Sequence, residues 1–167
     1  MPATLLQFDA SALDGDTVPV TAGDKAAYFD SINGRLCLVF PDGADEYAAV
    51  TKAVEMPQAY AGGALTAKLG IITGATTGSV DWEVSVEAVT DGDATDLDGA
   101  TGFDTANASA VAVPGTAGYL DVVSITLTNK DSVAAGDMVR FLVRRDSDDA
   151  GDDAAASAYL LWLAIQE

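Results

Sequence analysis

The stretch DWEVSVEAV at residues 81–89 decides the fold, because polar and apolar residues alternate along it from Asp81 to Ala88. Trp82 begins the apolar set, and Glu83 and Glu87 belong to the polar set. Successive side chains of a β-strand point to opposite faces. This period of two therefore predicts a strand with one buried face and one solvated face.

The same period recurs along most of the chain. Asn33-Gly34 lies between two apolar runs and predicts a two-residue hairpin turn, whose central positions need positive φ. No segment shows a sustained helical period. Further strand candidates are residues 4–8, 26–32, 35–40, 47–55, 65–72, 109–113, 123–128, 139–144 and 159–166. The sequence therefore predicts an all-β protein, a two-sheet antiparallel sandwich of jelly-roll or Greek-key type.

A length of 167 residues predicts one domain. The strand pattern is clear over residues 35–167, which are predicted to form the β-sandwich. Residues 1–34 carry a weaker pattern and are predicted to be an N-terminal arm or a first hairpin strand. The last run, residues 158–165, is apolar on both faces, which is typical of a strand covered on both sides. Either a subunit contact or tight packing within the chain would cover its second face.

The charge balance is extreme, with 26 acidic residues, 8 basic residues, no histidine and a net charge of −18. Such a surface repels itself in dilute buffer and is screened in concentrated salt, so we expect a salt-loving source or a salty working environment. A nucleic-acid partner would need a basic footprint, and we expect none. The basic residues Arg140, Arg144 and Arg145 are expected to neutralise nearby aspartates or to lie in a protein interface.

The N-terminus lacks the basic and apolar segments of a secretory signal, and no apolar run reaches the roughly 18 residues of a membrane span. We therefore expect no membrane contact and synthesis in a cytoplasm. Cys37 is the single cysteine, which excludes an intrachain disulfide and a CxxC motif. Its apolar surroundings in the sequence predict a small buried side chain.

Catalysis and metal binding find little support in the sequence. The lack of histidine excludes Ser-His-Asp and Cys-His arrangements. Asp81, Glu83 and Glu87 share a strand face, on which successive residues stand about 6.6 Å apart. This distance is near the carboxylate separation of an inverting glycosidase, but any polar strand face has this spacing. We expect no enzyme, no catalytic residue and no cofactor.

Two acidic loops, residues 91–98 and 146–153, could attract hard cations. An EF-hand counted from Asp91 needs glycine where Asp96 stands and glutamate where Gly102 stands, and neither is present. The sequence therefore favours solvated loops and assigns no metal ligand, although binding of Ca²⁺ or Mg²⁺ stays open.

Glycan binding is the main alternative from another functional class, because jelly-roll modules can stack sugar rings on exposed aromatic side chains. Trp82 is predicted to point inward, and Trp162 lies in the most apolar segment. Tyr47, Tyr60 and Tyr119 are better placed for such a contact, although they are scattered along the chain.

A series of segments from Arg35 to the C-terminal end carries a family resemblance. They are the apolar strand before Pro41-Asp42-Gly43, MPQAYAGGALT (56–66), TGSVDWEV (77–84), VPGTAG (113–118), AAGDMVRF (134–141) and VRRDSDDA (143–150). This series resembles a group of small jelly-roll virion structural proteins of tailed phages and tailed archaeal viruses. The aspartate content departs from the ordinary phage pattern and points to a halophilic host.

The resemblance implies a capsid decoration or cement subunit at the virion surface, bound to the major capsid protein. It also implies a homo-oligomer, with a trimer expected first and a dimer second. A tail- or surface-associated jelly-roll adhesin that binds host glycan is the alternative.

Overall fold

The computed structural model describes residues 2–15, 24–43, 45–97 and 102–167. These residues form thirteen strands and a 3₁₀ helix, Ala10–Ala12, and none of their helices is long and apolar enough to cross a membrane. The strands are β1 (Thr4–Asp9), β2 (Leu13–Asp14), β3 (Lys25–Ala26), β4 (Tyr28–Ile32), β5 (Arg35–Phe40), β6 (Tyr47–Thr51), β7 (Val54–Glu55), β8 (Leu65–Thr73), β9 (Ser79–Val89), β10 (Asn107–Ala112), β11 (Asp121–Leu127), β12 (Met138–Arg145) and β13 (Ala158–Gln166).

The strands pair into two sheets, and the chain passes repeatedly from one to the other. Sheet I has the order β11-β8-β13-β5-β4, with β1 beside β13. Sheet II has the order β10-β9-β12-β6-β2, with β3 beside β6 and β7 beside β12. Among the described strands only β3 and β6 pair in parallel, because the β4–β5 hairpin of sheet I lies between them in the chain. The predicted all-β, two-sheet antiparallel sandwich of jelly-roll or Greek-key type is confirmed.

The core lies between the sheets and follows the predicted alternation. Trp82 is fully buried and packs edge-on against Phe40 of sheet I, with ring centroids 5.1 Å apart. The polar face of β9, predicted to be solvated, is instead partly covered. Asp81 and Glu87 are only 7% and 3% exposed. Part of the cover comes from the segment before β10, since the backbone N–H of Gly102 donates to the Glu87 carboxylate at 3.1 Å.

The Asn33-Gly34 turn has the predicted backbone, with φ of 49° and 74° at its two central positions. The boundary placed after residue 34 therefore falls within the β4–β5 hairpin. β1, β2, β3 and β4 each hydrogen-bond to a strand of residues 35–167. The separate role assigned to residues 1–34 stays a prediction, and its residues 16–23 lie outside the described part of the chain.

The last strand occupies the centre of sheet I, as its two-sided apolar pattern predicts. β13 pairs with β8 along one edge and with β5 and β1 along the other. Leu160, Leu163 and Ile165 point into the core and are fully buried. A β-bulge at Leu161 shifts the register between Leu160 and Trp162. The extra residue lets apolar side chains occupy both faces of the strand.

A buried arginine ties the two sheets together. Arg145 is the last of the alternating inward-pointing residues of β12 and is fully buried. Its guanidinium donates to both carboxylate oxygens of Asp152, at 2.6 and 2.8 Å, and the Asp152 side chain is also fully buried. It also donates to the carbonyls of Phe40 on sheet I and of Ala154 and Ala156 in the following loop.

Replacing Arg145 by alanine is expected to lower the free energy of unfolding by about 3–5 kcal/mol, because Asp152 becomes an unpaired buried charge. Urea denaturation measures the loss. Arg35→Ala on the exposed hairpin is the matched control and should cost less than about 1 kcal/mol. The double change Arg145→Met with Asp152→Leu should recover part of the loss. A single variant as stable as the wild type would contradict this account.

Candidate binding face and acidic edge

The outer face of sheet I carries a row of apolar and aromatic side chains. Tyr28 pairs with Val39, which lies beside Tyr159. Tyr159 in turn pairs with Ile72, and Leu120, one residue before β11, continues the row. Neighbouring strands lie about 4.8 Å apart, so a row across five strands spans about 19 Å. We call this surface the aromatic face.

Trp162 belongs to the same surface and lies in the next row of outward side chains along β13. The bulge at Leu161 turns its side chain outward, and the indole lies over Gly70 of β8. A Cβ at Gly70 would sit 2.1 Å from the ring. Val122 pairs with Gly70 from the other side and is 45% exposed. The glycine therefore gives Trp162 the space to lie close to the sheet.

The aromatic face is neutral on a strongly acidic protein. Tyr28 and Leu120 are 50% and 58% exposed, so the row reaches solvent at both edges of the sheet. The charged residues at the outward positions of the described sheet I strands are Asp9, Asp30, Arg35 and Lys68. Two acids against two bases sum to zero, whereas the whole chain carries −18.

Gly70→Ala is expected to displace the Trp162 ring, because the added methyl group overlaps the indole. We expect a loss of about 1–3 kcal/mol in the free energy of unfolding and a red shift of tryptophan fluorescence. Gly115→Ala is the control, since its Cβ would meet nothing within 4 Å. Unchanged emission from the Gly70 variant would show that the ring does not lie over β8.

A second feature lies at one edge of sheet II, where carboxylates stand in register. Asp24, Glu46 and Asp146 each lie one residue beyond the paired residues of β3, β6 and β12. The hydrogen bond between the main chains of Asp146 and Asp81 adds β9 to the row. Asp148 comes from the following loop, and one oxygen each of Glu46, Asp146 and Asp148 lie within 4.8 Å of one another. We call this group the acidic edge.

The arginines of β12 neutralise acidic residues of the acidic edge and of the neighbouring strand β9, as the sequence predicts. Arg144 pairs in register with Glu83, whose carboxylate accepts from its Nε at 2.6 Å. It also contacts Glu46. Arg140 pairs with Glu87 in the same manner. Glu83 and Glu87 thus lie on one face as predicted, and each forms an ion pair with an arginine.

Crowding and burial raise several carboxyl pKa values at the acidic edge. Burial raises the pKa of Asp81 to about 6, and the nearby carboxylates of Asp149 and Glu83 add to the shift. The pKa of Glu46 rises to about 7, chiefly because its carboxyl group hydrogen-bonds with that of Asp24. Burial also raises the pKa of Asp146. Ionisation of this edge therefore opposes folding near neutral pH.

Asp81→Asn is expected to stabilise the protein at neutral and higher pH. A carboxyl pKa raised by folding contributes stability below its unfolded value, and this contribution is lost as pH rises through the folded value of about 6. At about pH 8 the variant should gain about 1–3 kcal/mol, with little change at about pH 4. Urea denaturation at both pH values tests this. Asp91→Asn, in an exposed turn, is the control for net charge, and an equal gain there would contradict a local origin.

The three tyrosines singled out from the sequence have different environments. Tyr119 is 63% exposed and adjoins Leu120 at the end of the aromatic face. Tyr60 is buried, and its hydroxyl accepts from Lys130 at 2.7 Å, so its predicted contact role is wrong. Tyr47 packs partly against the core.

Sequence reasoning missed the aromatic residues that share the outer face, namely Tyr28, Tyr159 and Trp162. Tyr28 could have been found from its outward register in the predicted hairpin. Tyr159 and Trp162 are three residues apart, a spacing that puts them on opposite faces of a regular strand. Only the bulge brings them to one face.

One of the two acidic loops differs from the prediction of solvated loops. Residues 146–153 were expected to be solvated, but the Asp152 side chain is fully buried against Arg145. The loop at 91–98 is exposed from Asp91 to Leu97, and its last residue, Asp98, lies outside the described residues.

No family model matches the chain, and no curated protein matches it. Three solved structures illustrate its likeness to known folds. One is a glycoside hydrolase family 43 arabinoxylan arabinofuranohydrolase from Bacillus subtilis, at 12% identity and a TM-score of 0.47, with 98% of this chain covering 28% of that one. Another is a non-crystalline cellulose specific carbohydrate-binding module, at 8% identity and a TM-score of 0.46, with coverage of 93% and 84%.

The third is a cleaved adhesin domain of Lys-gingipain from Porphyromonas gingivalis, at 14% identity and a TM-score of 0.44, with coverage of 99% and 93%. The chain thus spans less than a third of the arabinofuranohydrolase. At these identities and TM-scores the likenesses carry no argument about function. The fold is assigned from the strand pairing of the chain itself.

Proposed function

We propose that the protein is a non-catalytic binding module and that the aromatic face binds a neutral glycan. The observation that carries this proposal is a band of aromatic side chains across a neutral sheet surface. Tyrosine and tryptophan combine an apolar ring with a polar group, which suits them to stack on sugar rings and to hydrogen-bond with hydroxyl groups. Apolar patches exposed on a folded chain mark interaction sites.

Charge favours a neutral ligand over an anionic one. The chain carries −18, so its long-range field repels anions over most of the surface. The aromatic face has balanced charges and a width of about 19 Å, enough for several sugar rings. On sheet II, Glu83 and Glu87 form ion pairs with Arg144 and Arg140, which supports a role without catalysis.

Tyr28→Ala and Tyr119→Ala are each expected to weaken glycan binding about tenfold, or about 1.4 kcal/mol. The ligand is first identified on a glycan array in concentrated salt, and affinities are then measured by calorimetry. Leu97→Ala is the matched control, because Leu97 is 63% exposed away from this face. No binding by the wild type, or equal losses in all three variants, would refute the proposal.

A decoration or cement subunit on a viral capsid is the second candidate. The aliphatic side chains of Ile72, Leu120 and Val122 favour it, because the centres of protein interfaces are apolar and poor in charge. In this case the aromatic face would contact the major capsid protein or another copy in a homotrimer or homodimer at the virion surface.

Light scattering and particle composition separate the two functions. A decoration subunit should be present in purified particles at a copy number proportional to the number of major capsid protein copies in the shell. If the copies contact each other through this face, Val122→Asp should convert the oligomer to a monomer. A monomeric wild type that is absent from particles would reject this candidate.

A further inference from the structure

The indole of Trp162 lies with one face on sheet I. A Cβ at Gly70 would sit 2.1, 2.2 and 2.7 Å from Cε2, Nε1 and Cδ2 of the ring. These three atoms are bonded in sequence, so such short distances to all of them place Gly70 beneath the face of the indole and not at its edge. The opposite face is therefore turned away from the sheet. Among the described residues, no aromatic ring and no cation stacks on it.

Polar side chains occupy the next two rows of the same outer face. Strands β1, β13, β8 and β11 lie side by side there, in register. The first row consists of Gln7, Ala164, Lys68 and Ser124, and the second consists of Thr4, Gln166, Thr66 and Thr126. Only Lys68 is charged among these residues. The outer face of sheet I thus has a polar half beside its aromatic half, and Trp162 lies where the two halves meet.

The first polar row offers hydrogen-bond donors and acceptors on both sides of a small residue. Lys68 Nζ donates to Ser124 Oγ, and no carboxylate of the described residues forms an ion pair with it. Gln7 is exposed on the far side of Ala164, about 9.6 Å from Lys68 across two strand spacings. The methyl group of Ala164 leaves a depression between these longer side chains. A sugar hydroxyl group can both donate to such groups and accept from them.

We propose that Trp162 is the central subsite of the glycan-binding surface, where a pyranose ring stacks on the outer face of the indole. Successive outward residues of a strand lie about 6.6 Å apart, so the hydroxyl groups of that ring reach Gln7, Lys68 and Ser124 in the next row. This inference rests on the proposed function and adds the class of ligand, a neutral glycan with free hydroxyl groups. An O-methyl group cannot donate a hydrogen bond, so an O-methylated glycan leaves polar groups of this row without partners.

Calorimetry of the full-length chain tests the subsite, with the glycan found on the array and with its O-methylated form. The wild type should bind the O-methylated form at least about tenfold more weakly. Trp162→Ala should weaken binding of the unmodified glycan at least about 30-fold. Trp162→Phe keeps a ring that can stack and should recover part of this loss. Circular dichroism checks that each variant is folded.

Lys68→Met tests the polar row separately from the indole. It should weaken binding of the unmodified glycan about tenfold and reduce the preference for free hydroxyl groups, because the charged donor is lost. Lys25→Met removes the same charge from an exposed position on sheet II and is the matched control. It should bind both forms of the glycan as the wild type does.

Tryptophan fluorescence of the wild type gives a second readout that needs no variant. The chain has two tryptophans, and Trp82 is fully buried in the core. Quenching by acrylamide therefore reports mainly on Trp162. The bound glycan should protect this indole from quenching, because the sugar ring covers its outer face.

The outcomes separate this subsite from the proposed function. A wild type that binds no glycan would refute both. Binding that Tyr28→Ala weakens but Trp162→Ala and Lys68→Met leave unchanged would overturn the subsite alone. Quenching that the glycan does not alter, or an equal loss in Lys25→Met, would also overturn it. If Trp162→Ala changes the oligomeric state in light scattering and leaves glycan affinity unchanged, the indole belongs to a protein interface and the subsite is wrong.

Discussion

The buried ion pair between Arg145 and Asp152 is the constraint on which the rest of the structure depends. Arg145 extends from sheet II and donates to a carbonyl of sheet I, so the pair fixes both sheets and the loop that follows β12. Two fully buried charges are tolerated because every contact is a hydrogen bond to a carboxylate or carbonyl oxygen. The position of this loop in turn places Asp146 and Asp148 at the acidic edge.

The two sheets differ in how they treat charge. Sheet II gathers acids and arginines on its outer face, where Asp81 and Glu87 are buried. Sheet I balances its few charges and leaves aromatic and aliphatic side chains uncovered. A net charge of −18 makes close approach of a second molecule costly over most of the surface, and this cost is smallest at the neutral face. The charge distribution therefore selects the face that can meet a partner.

Alternation predicted most strands to within two residues, because one face of each is buried in the core. The 47–55 candidate is divided into β6 and β7, and the 26–32 candidate into β3 and β4. The candidate site was much harder to predict. Tyr159 and Trp162 share a face only through the bulge at Leu161, and Gly70 lies far from Trp162 in the sequence. Tyr60 is not available for contact, because it is buried and its hydroxyl accepts a hydrogen bond from Lys130, 70 residues further along the chain.

By itself the sequence determined the all-β class, the Asn33-Gly34 turn, the inward face of β9 and the central place of β13, since local periodicity and turn chemistry encode these features. Tertiary structure decided which residues lie side by side across strands. Asp24, Glu46 and Asp146 come from three distant segments and meet only through strand register. Arg145 lies one residue beyond the predicted 139–144 strand and continues its inward alternation, and only the folded chain supplies the buried carboxylate that makes its place in the core stable.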